Sequence, residues 1–336
     1  MPNPLTTLFE WLSDLFRSRP QPRTTLTTLR PRILMIVFNP VIESEGGRKL
    51  TEVLNWNDPD RLAADYIADL RDASHGLVEP TIVERVEVDE WPIKQDTFRY
   101  DDTFVSLWRS RGLFHAPDRL DYAALLQRFD ILGKVASNVV DEVWCFAFPF
   151  AGFHESTMGG RDAFHCNSEP LPNTRQCPRK FIVMGFNYER DVGEMLESFG
   201  HRCEDILRRV YQGTGAEANT FARFCLYERT APGRAACGTV HCAPNSQICT
   251  ENPRPALGET DREWDNPRVV ACNCDDWLNY PNLTGATRQV DHTEWGAGDV
   301  RLHHAWWLRH FPRAAGATGG ISNNWWNYVA DPNQVR

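Results

Sequence analysis

Residues 33–40 read ILMIVFNP, a continuous apolar run that ends in Asn-Pro. Two similar runs follow, one at residues 143–148 ahead of Pro149 and one at residues 181–186 ahead of Asn187. Continuous apolar runs of this length are typical of strands that are buried on both faces, as in a parallel sheet. Because proline cannot donate to a central ladder, the chain is expected to leave the sheet after the first two runs.

Helical patterns lie between these runs. Residues 61–73 and 120–135 carry apolar side chains at helical spacing, whereas residues 81–88 alternate apolar and charged side chains and predict an exposed edge strand. Strands that alternate with helices predict an α/β fold with an open, mostly parallel sheet and flanking helices.

The sequence divides into three parts. Residues 1–31 predict an amphipathic helix and a linker, and residues 32–212 form the predicted α/β body. Residues 213–336 hold seven of the twelve Trp and six of the ten Cys, and they predict an irregular lobe packed on that body. Such loops favour disulfides and an extracellular or periplasmic compartment, although the N-terminal residues predict no signal peptide.

Charge and hydropathy restrict the partners. The net charge is −9, and because phosphate binding needs a basic surface, no nucleic acid is expected as a partner. No apolar run approaches the roughly 20 residues of a membrane span, so no membrane span is expected. The sequence leaves the oligomeric state open.

The most informative segment is the predicted helix at residues 189–211. At about 100° per residue, Glu197, His201 and Glu204 lie together opposite an apolar stripe. Their i, i+4, i+7 spacing lets one imidazole and two carboxylates reach one point, which predicts half of a divalent-metal site, with zinc as one choice. The lobe supplies four histidines for the remaining ligand: His241, which we take as the metal ligand, and as alternatives His303, His304 and His310.

Two glycines flank this polar face. Gly193 and Gly200 each cost about 1 kcal/mol relative to Ala in a helix interior, so they favour a close approach by other chain or by a ligand. A solvated surface is the alternative interpretation of the same face.

The loops that follow the three apolar runs are expected to share one rim, because ligands bind beyond the carboxyl ends of parallel strands. They supply the polar side chains Glu43, Glu45, His154, Glu155 and Glu189. We predict Glu155, Glu189 and Glu204 as catalytic acid–base groups, because paired carboxylates can hold and release a proton, and His154 as a substrate contact.

Trp306, Trp325 and Trp326 lie beside His and Asn residues. Exposed Trp rings stack on sugars while amides bond hydroxyl groups, so these side chains are predicted to bind substrate, with a role in the core as the alternative. The leading hypothesis is a secreted, metal-dependent hydrolase for a glycan or a peptide. The alternatives are a non-catalytic carbohydrate-binding or surface-interaction protein, and an enzyme with a nucleophilic pair of Cys237 and His241.

Residues 33–336 resemble an uncharacterised bacterial protein family. The resemblance is carried by FNPVIES (38–44), WNDPD (56–60), DEVW (141–144), GFNYER (185–190), FGHR (199–202), CGTVH (237–241) and NNWW (323–326). It implies no activity, fold or site, so the functional hypotheses depend on the residues alone.

Overall fold

A central five-stranded sheet organises the computed structural model, which describes residues 25–336. The strands, numbered in chain order, are β1 (Arg32–Phe38), β2 (Val41–Ile42), β3 (Arg48–Lys49), β4 (Thr81–Val88), β5 (Glu142–Ala147), β6 (Ser156–Gly159), β7 (Phe181–Asn187), β8 (Val270–Cys272), β9 (Arg288–Val290), β10 (Arg313–Thr318) and β11 (Ile321–Asn324). The sheet has the order β4-β1-β5-β7-β6. Its first four strands are parallel and β6 is antiparallel to β7.

Helices flank this sheet, which confirms the predicted α/β class. They are α1 (Leu50–Leu54), α2 (Pro59–Ala73), α3 (Thr103–Arg109), α4 (Tyr122–Arg128), α5 (Ile131–Ala136), α6 (Val192–Val210), α7 (Thr220–Phe224), α8 (Val300–Arg309) and α9 (Trp326–Val329). The short ribbons β8-β9 and β10-β11 belong to the Trp- and Cys-rich C-terminal region. That region adds its aromatic side chains to the same buried core as the sheet.

The three apolar runs form β1, β5 and β7, as predicted. Every residue of β5 is buried, and so are six of the seven residues of β1. The predicted edge strand is β4, which lies at the end of the sheet and alternates exposed with half-buried side chains. The patterns of hydrophobicity thus identified both the central strands and one edge.

Three elements differ from the predictions. The helix predicted at residues 120–135 is divided into α4 and α5, because Asp130 adopts a left-handed φ of 48° between them. The sequence pattern predicts no strand at β6, because its four residues are too few to show a period. The helix α8 was missed because six consecutive residues, from His303 to Leu308, are buried on all sides and show no apolar stripe.

The N-terminal part enters this fold only at its end. Residues 1–24, which hold the predicted amphipathic helix and the first half of the predicted linker, lie outside the described residues. At the end of that linker, the amide of Leu29 donates a hydrogen bond of 2.8 Å to the carbonyl oxygen of Leu77. Within residues 25–336, no helix combines the length and hydrophobicity needed to cross a bilayer.

Later chain covers the polar side of α6. A methyl group built on Gly200 would lie 2.5 Å from Cγ2 of Val240, and one on Gly193 would lie 3.0 Å from the amide nitrogen of Arg301. The ring nitrogens of His304 lie 3.1 Å from the carbonyl oxygens of both Gly193 and Val240. The close approach predicted at the two glycines is confirmed, and the solvated surface is the wrong interpretation.

We expect Gly200→Ala to lower the free energy of unfolding by about 1–3 kcal/mol, because the new methyl group overpacks the contact with the stiff Val240 side chain. Urea denaturation measures the change. The matched control is Gly215→Ala, where a methyl group meets nothing within 4 Å and stability should stay the same or rise slightly. Equal stability of the two variants would contradict the close contact.

Candidate metal centre

The loop at residues 237–242, called the His241 loop below, is held at both ends by disulfides. Cys237 is bonded to Cys274 and Cys242 to Cys249, so this region contains disulfides as predicted, whereas its other two cysteines, Cys225 and Cys272, are free. Between them, the hydroxyl oxygen of Thr239 accepts hydrogen bonds from the amides of His241 at 3.3 Å and of Cys242 at 3.0 Å. The loop therefore presents the His241 imidazole from a cross-linked and hydrogen-bonded backbone.

The first disulfide also removes one alternative. Since Cys237 is bonded to Cys274, it has no thiol, and the hypothesis of a nucleophilic Cys237–His241 pair is wrong. The remaining six cysteines are free, and they include the buried Cys145 and Cys203. Burial raises the pKa of both of these thiols, which keeps them protonated.

Three side chains converge where α6 meets the His241 loop. One ligand atom each from Glu197, His201 and His241 lies within 4.8 Å of the other two. Oε1 of Glu197 is 2.9 Å from Nε2 of His241 and 3.9 Å from Nε2 of His201. A tetrahedral zinc ion with bonds of about 2.0–2.2 Å holds its ligand atoms about 3.4 Å apart, so small rotations would suffice to bind one.

Glu197 is the buried member of this cluster, with 3% of its surface exposed. Its Oε1 accepts hydrogen bonds from His241 and from Arg262, each at 2.9 Å, whereas its Oε2 is buried without a partner among the described residues. Burial alone would raise the pKa of Glu197, but the hydrogen bond from His241 and the nearby guanidinium of Arg262 lower it to about 2. A buried carboxylate oxygen without a partner is costly unless it serves a ligand.

His201 is oriented by the carboxylate of Glu204, whose Oε2 lies 3.7 Å from Nδ1 of the imidazole. The other oxygen of Glu204 accepts a hydrogen bond of 3.2 Å from the amide of Val240 in the His241 loop. Burial would lower the pKa of His201, but the carboxylates of Glu204, Glu155 and Glu197 raise it. A carboxylate behind the second ring nitrogen is the usual companion of a metal-ligating histidine.

The position of Glu204 corrects its predicted role. Glu204 lies outside the group of three ligand atoms, so we no longer assign it as a metal ligand or as an acid–base group. It contacts His201 from the side opposite Glu197 and is 3.5 Å from Arg208. Glu204 therefore positions both the imidazole and the His241 loop.

A polar crevice of about 180 Å³ opens beside Glu197, beyond the carboxyl ends of β5 and β7. Glu155 and Glu194 line it together with Glu197. A wider mouth of about 710 Å³ adjoins it, and Glu189 and Arg262 line that mouth. Two of the predicted catalytic residues, Glu155 and Glu189, thus lie at the expected rim of the sheet.

Other residues predicted at the rim lie elsewhere. The carboxylate of Glu45 pairs with Arg48 and Arg109 on the surface, and the amide of the neighbouring Ser44 binds Asp102. His154 is stacked on Tyr122, with ring planes 2° apart, and it does not line the crevice. The expected convergence therefore involves the loops after β5 and β7 and omits the loop after β1.

The alternative histidines do not join the ligand group. His303 is fully buried against the ring of Trp264, and burial holds its pKa well below the ordinary value. Burial also lowers the pKa of His304 to about 4, so its ring is neutral at neutral pH and donates to only one of the two neighbouring carbonyl oxygens, those of Gly193 and Val240. His310 lies 3.3 Å from Asp275, away from the cluster.

The tryptophans predicted to bind substrate belong to the core. Trp325 and Trp326 have no exposed surface, and Trp306 has 6% exposed. Trp325 donates its indole N–H to the hydroxyl oxygen of Tyr211 and packs edge-on against Phe224. A side chain with no accessible face cannot stack on a sugar, so the predicted role in substrate binding is wrong for these residues.

One residue of the centre escaped the sequence analysis. Arg262 comes from an irregular segment, and no pattern connects it with Glu197, 65 positions earlier. Helical spacing does place Glu194 on the same polar face of α6 as Glu197, but it assigns Glu194 no role in the site.

The fold and this centre define an α/β protein with a candidate metal site at the carboxyl edge of its sheet. Comparisons with protein-family models, with curated proteins and with solved structures found no match. The resemblance to a bacterial family therefore stays a prediction.

We expect Glu197→Gln to lower the free energy of unfolding of the metal-free protein by about 3 kcal/mol at neutral pH. Folding depresses the pKa of Glu197 from 4.5 to about 2, so its ionised form stabilises the fold above pH 4.5. That contribution is lost as the pH falls towards 2, and the two proteins should then converge. Urea denaturation in EDTA across this range measures it, and a constant difference would contradict the role of the charge.

Proposed function

We propose that the protein is a divalent-metal-dependent hydrolase, with Glu197, His201 and His241 as the metal ligands. The convergence of these three groups beside an open crevice carries the proposal. Two nitrogens and one carboxylate oxygen are a ligand set that zinc accepts, and three protein ligands leave a position free for water. An ion bound there would lower the pKa of that water towards neutrality and so make it a nucleophile.

The access to the cluster supports a catalytic site over a purely structural one. About a fifth of the side chain of each histidine is exposed, 22% for His201 and 21% for His241. Glu197, although buried, is itself part of the crevice wall. Structural zinc sites usually close all four positions with protein ligands, whereas this cluster supplies three.

The crevice offers groups for proton transfer. Burial and the neighbouring Asp191 carboxyl raise the pKa of Glu194, so it can hold a proton nearer neutral pH than an ordinary glutamate. Glu155 lines the same crevice, and Glu189 lies at its mouth. We assign proton transfer to these carboxylates and metal binding to the cluster behind them.

Peptides and glycans both remain candidate substrates. The case for sugar binding, and with it the alternative of a non-catalytic carbohydrate-binding protein, depended on exposed Trp306, Trp325 and Trp326, and those side chains are buried. The two disulfides support the proposed extracellular or periplasmic location, since such bonds persist in oxidising compartments.

We expect the full chain to bind zinc and to hydrolyse a substrate of one of these classes only when zinc is bound. His241→Ala removes one of three ligands and should weaken zinc binding by about 100-fold or more, with loss of hydrolysis. Calorimetric titration measures binding, and a panel of chromogenic amides, esters and glycosides measures turnover with and without EDTA.

The matched control is His165→Ala, which removes an imidazole that is 56% exposed and lies outside the cluster. It should bind zinc and turn over substrate like the unmodified protein. Absence of zinc binding to the unmodified protein, and of binding of manganese or cobalt, would refute the metal site.

We expect Arg262→Gln to tighten zinc binding about tenfold, because the guanidinium repels a cation at Glu197 and occupies its Oε1. Zinc titration of the variant measures the effect. The control is Arg61→Gln, which removes a charge from a side chain that is 84% exposed and should leave the affinity unchanged. Weaker zinc binding by the Arg262 variant would mean that Arg262 organises the site instead of competing for it.

A further inference from the structure

The mouth beside the crevice has an aromatic wall. Trp108, Pro149 and Phe150 line this opening of about 710 Å³, and Phe150 also lines the crevice itself. The volume falls within the roughly 300–1,000 Å³ of pockets that bind small ligands. A ligand that extends from the mouth into the crevice therefore passes Phe150.

Phe150 is held in an unfavourable backbone conformation. The amide of Ala151 donates a hydrogen bond of 3.2 Å to the carbonyl oxygen of Phe148, which closes a turn over residues 148–151. Proline occupies the second position of this turn, and Phe150 occupies the third with a φ of 63°. This is the pattern of a type II turn, whose third position favours glycine because a bulky side chain is costly there. A phenylalanine that bears this cost and yet is 41% exposed adds little to the core, so ligand binding explains it better than packing does.

Neighbouring aromatic side chains fix the ring of Phe150. Phe114 is stacked on it, with ring centroids 3.8 Å apart and ring planes 13° apart. Phe114 in turn packs against Trp108 at 6.1 Å, and Trp108 packs edge-on against Trp56 at 5.1 Å. Because Phe114 covers one face of the Phe150 ring, the opposite face is the one left for a ligand. The aromatic wall is thus ordered before a ligand arrives, which lowers the entropic cost of binding.

Polar groups without partners lie beside this wall. Asn187, Glu189 and Arg190 line the same mouth at the end of β7. Within residues 25–336, Nδ2 of Asn187, the carboxylate of Glu189 and the guanidinium of Arg190 have no hydrogen-bond or salt-bridge partner. The backbone that carries them is fixed, because the carbonyl oxygens of Tyr188 and Arg190 accept hydrogen bonds of 3.0 and 2.9 Å from the backbone and side-chain amides of Asn57. The mouth therefore offers both donors and an acceptor to a ligand that lies on the aromatic wall.

We propose that this mouth binds a sugar ring, which makes the substrate of the hydrolase a glycan. A pyranose has an apolar face of C–H groups that can stack on the negative face of an aromatic ring, and its hydroxyl groups both donate and accept hydrogen bonds. Phe150 contacts the apolar face, and the free groups of Asn187, Glu189 and Arg190 bind the hydroxyl groups. The inference rests on the proposed function for its reaction, but the sugar site lies outside the metal ligands and can be tested without a metal.

Two other ligands fit these observations less well. An apolar side chain of a peptide would cover the ring, but it would shield Asn187 and Glu189 from water without giving them hydrogen-bond partners. A phosphate or a carboxylate could bind Arg190, but it would face the carboxylates of Glu189, Asp191 and Glu194 in the same mouth. A neutral ring that is rich in hydroxyl groups avoids both costs.

The test uses full-length protein in EDTA at neutral pH, so that no metal contributes. A printed array of neutral oligosaccharides, built from glucose, mannose, galactose, xylose and N-acetylglucosamine, identifies the tightest glycan, and calorimetric titration measures its affinity. We expect saturable binding with a Kd below about 1 mM. N-acetyl-L-phenylalaninamide represents an apolar peptide side chain and should bind about tenfold more weakly or worse.

Phe150→Gly removes the ring and relieves the left-handed conformation, so the variant should fold and should bind the glycan about tenfold more weakly. Arg190→Ala changes an exposed side chain without a partner, and it should weaken binding about fivefold even if the Phe150 variant does not fold. The matched control is Leu113→Ala, which removes an apolar side chain that is 96% exposed and does not line the mouth. It should leave the affinity unchanged, and circular dichroism checks the fold of each variant.

The outcomes separate the two proposals. Absence of binding on the array, tighter binding of N-acetyl-L-phenylalaninamide than of any glycan, or unchanged affinity of folded Phe150→Gly or Arg190→Ala would overturn the sugar site even if zinc binds. Glycan binding that depends on Phe150, by a protein that binds no metal, would support the sugar site and refute the metal-dependent hydrolase.

Discussion

The contact between α6 and the His241 loop at Gly200 is the constraint on which the rest of the centre depends. An amphipathic helix on a sheet normally turns its polar face to water, and the stripe opposite that face is already buried here. Because position 200 has no side chain, Val240 can approach the helix axis and cover the polar face. His241, which follows Val240, is thereby brought next to Glu197 on the helix, and the polar face of α6 becomes buried.

Closing that face puts several charges into the interior, and nearly all of them have partners. Glu204 is placed between His201 and an amide of the loop, and one oxygen of Glu197 accepts hydrogen bonds from His241 and Arg262. Buried charges are tolerated only when they are paired in this way. Oε2 of Glu197 is the exception on this face of the helix, and it lies where the crevice and the imidazoles meet. An uncompensated group at such a place indicates a ligand more strongly than paired charges do.

The periodicity of the sequence predicted the structural features that depend on residues close to one another along the chain. Continuous apolar runs identified β1, β5 and β7, and helical spacing placed Glu197 and His201 on one face of α6. Gly193 and Gly200 are unfavourable in a helix interior, so the sequence of this one helix was enough to predict that other chain packs on its polar face. No local pattern indicates the position of Arg262 or the burial of Trp325. Both depend on contacts between irregular chain and residues more than 60 positions earlier. Composition near Trp325 suited a sugar site and an aromatic core equally, and only packing distinguishes them.

Glu194 and Glu197 are three residues apart, so the crevice and the metal cluster share one rigid element. The carboxylate of Asp191 caps the first turn of α6 through the amide of Gly193, while His304 fixes the same turn from α8. The distance between the carboxyl group of Glu194 and an ion bound at Glu197 is thus set by about one helical turn and does not depend on a flexible loop. Reaction rates are sensitive to displacements of about 1 Å, and catalytic groups on a helix are held more precisely than groups on loops. The His241 loop is the one part of the cluster outside a regular element, and its two disulfides compensate for that.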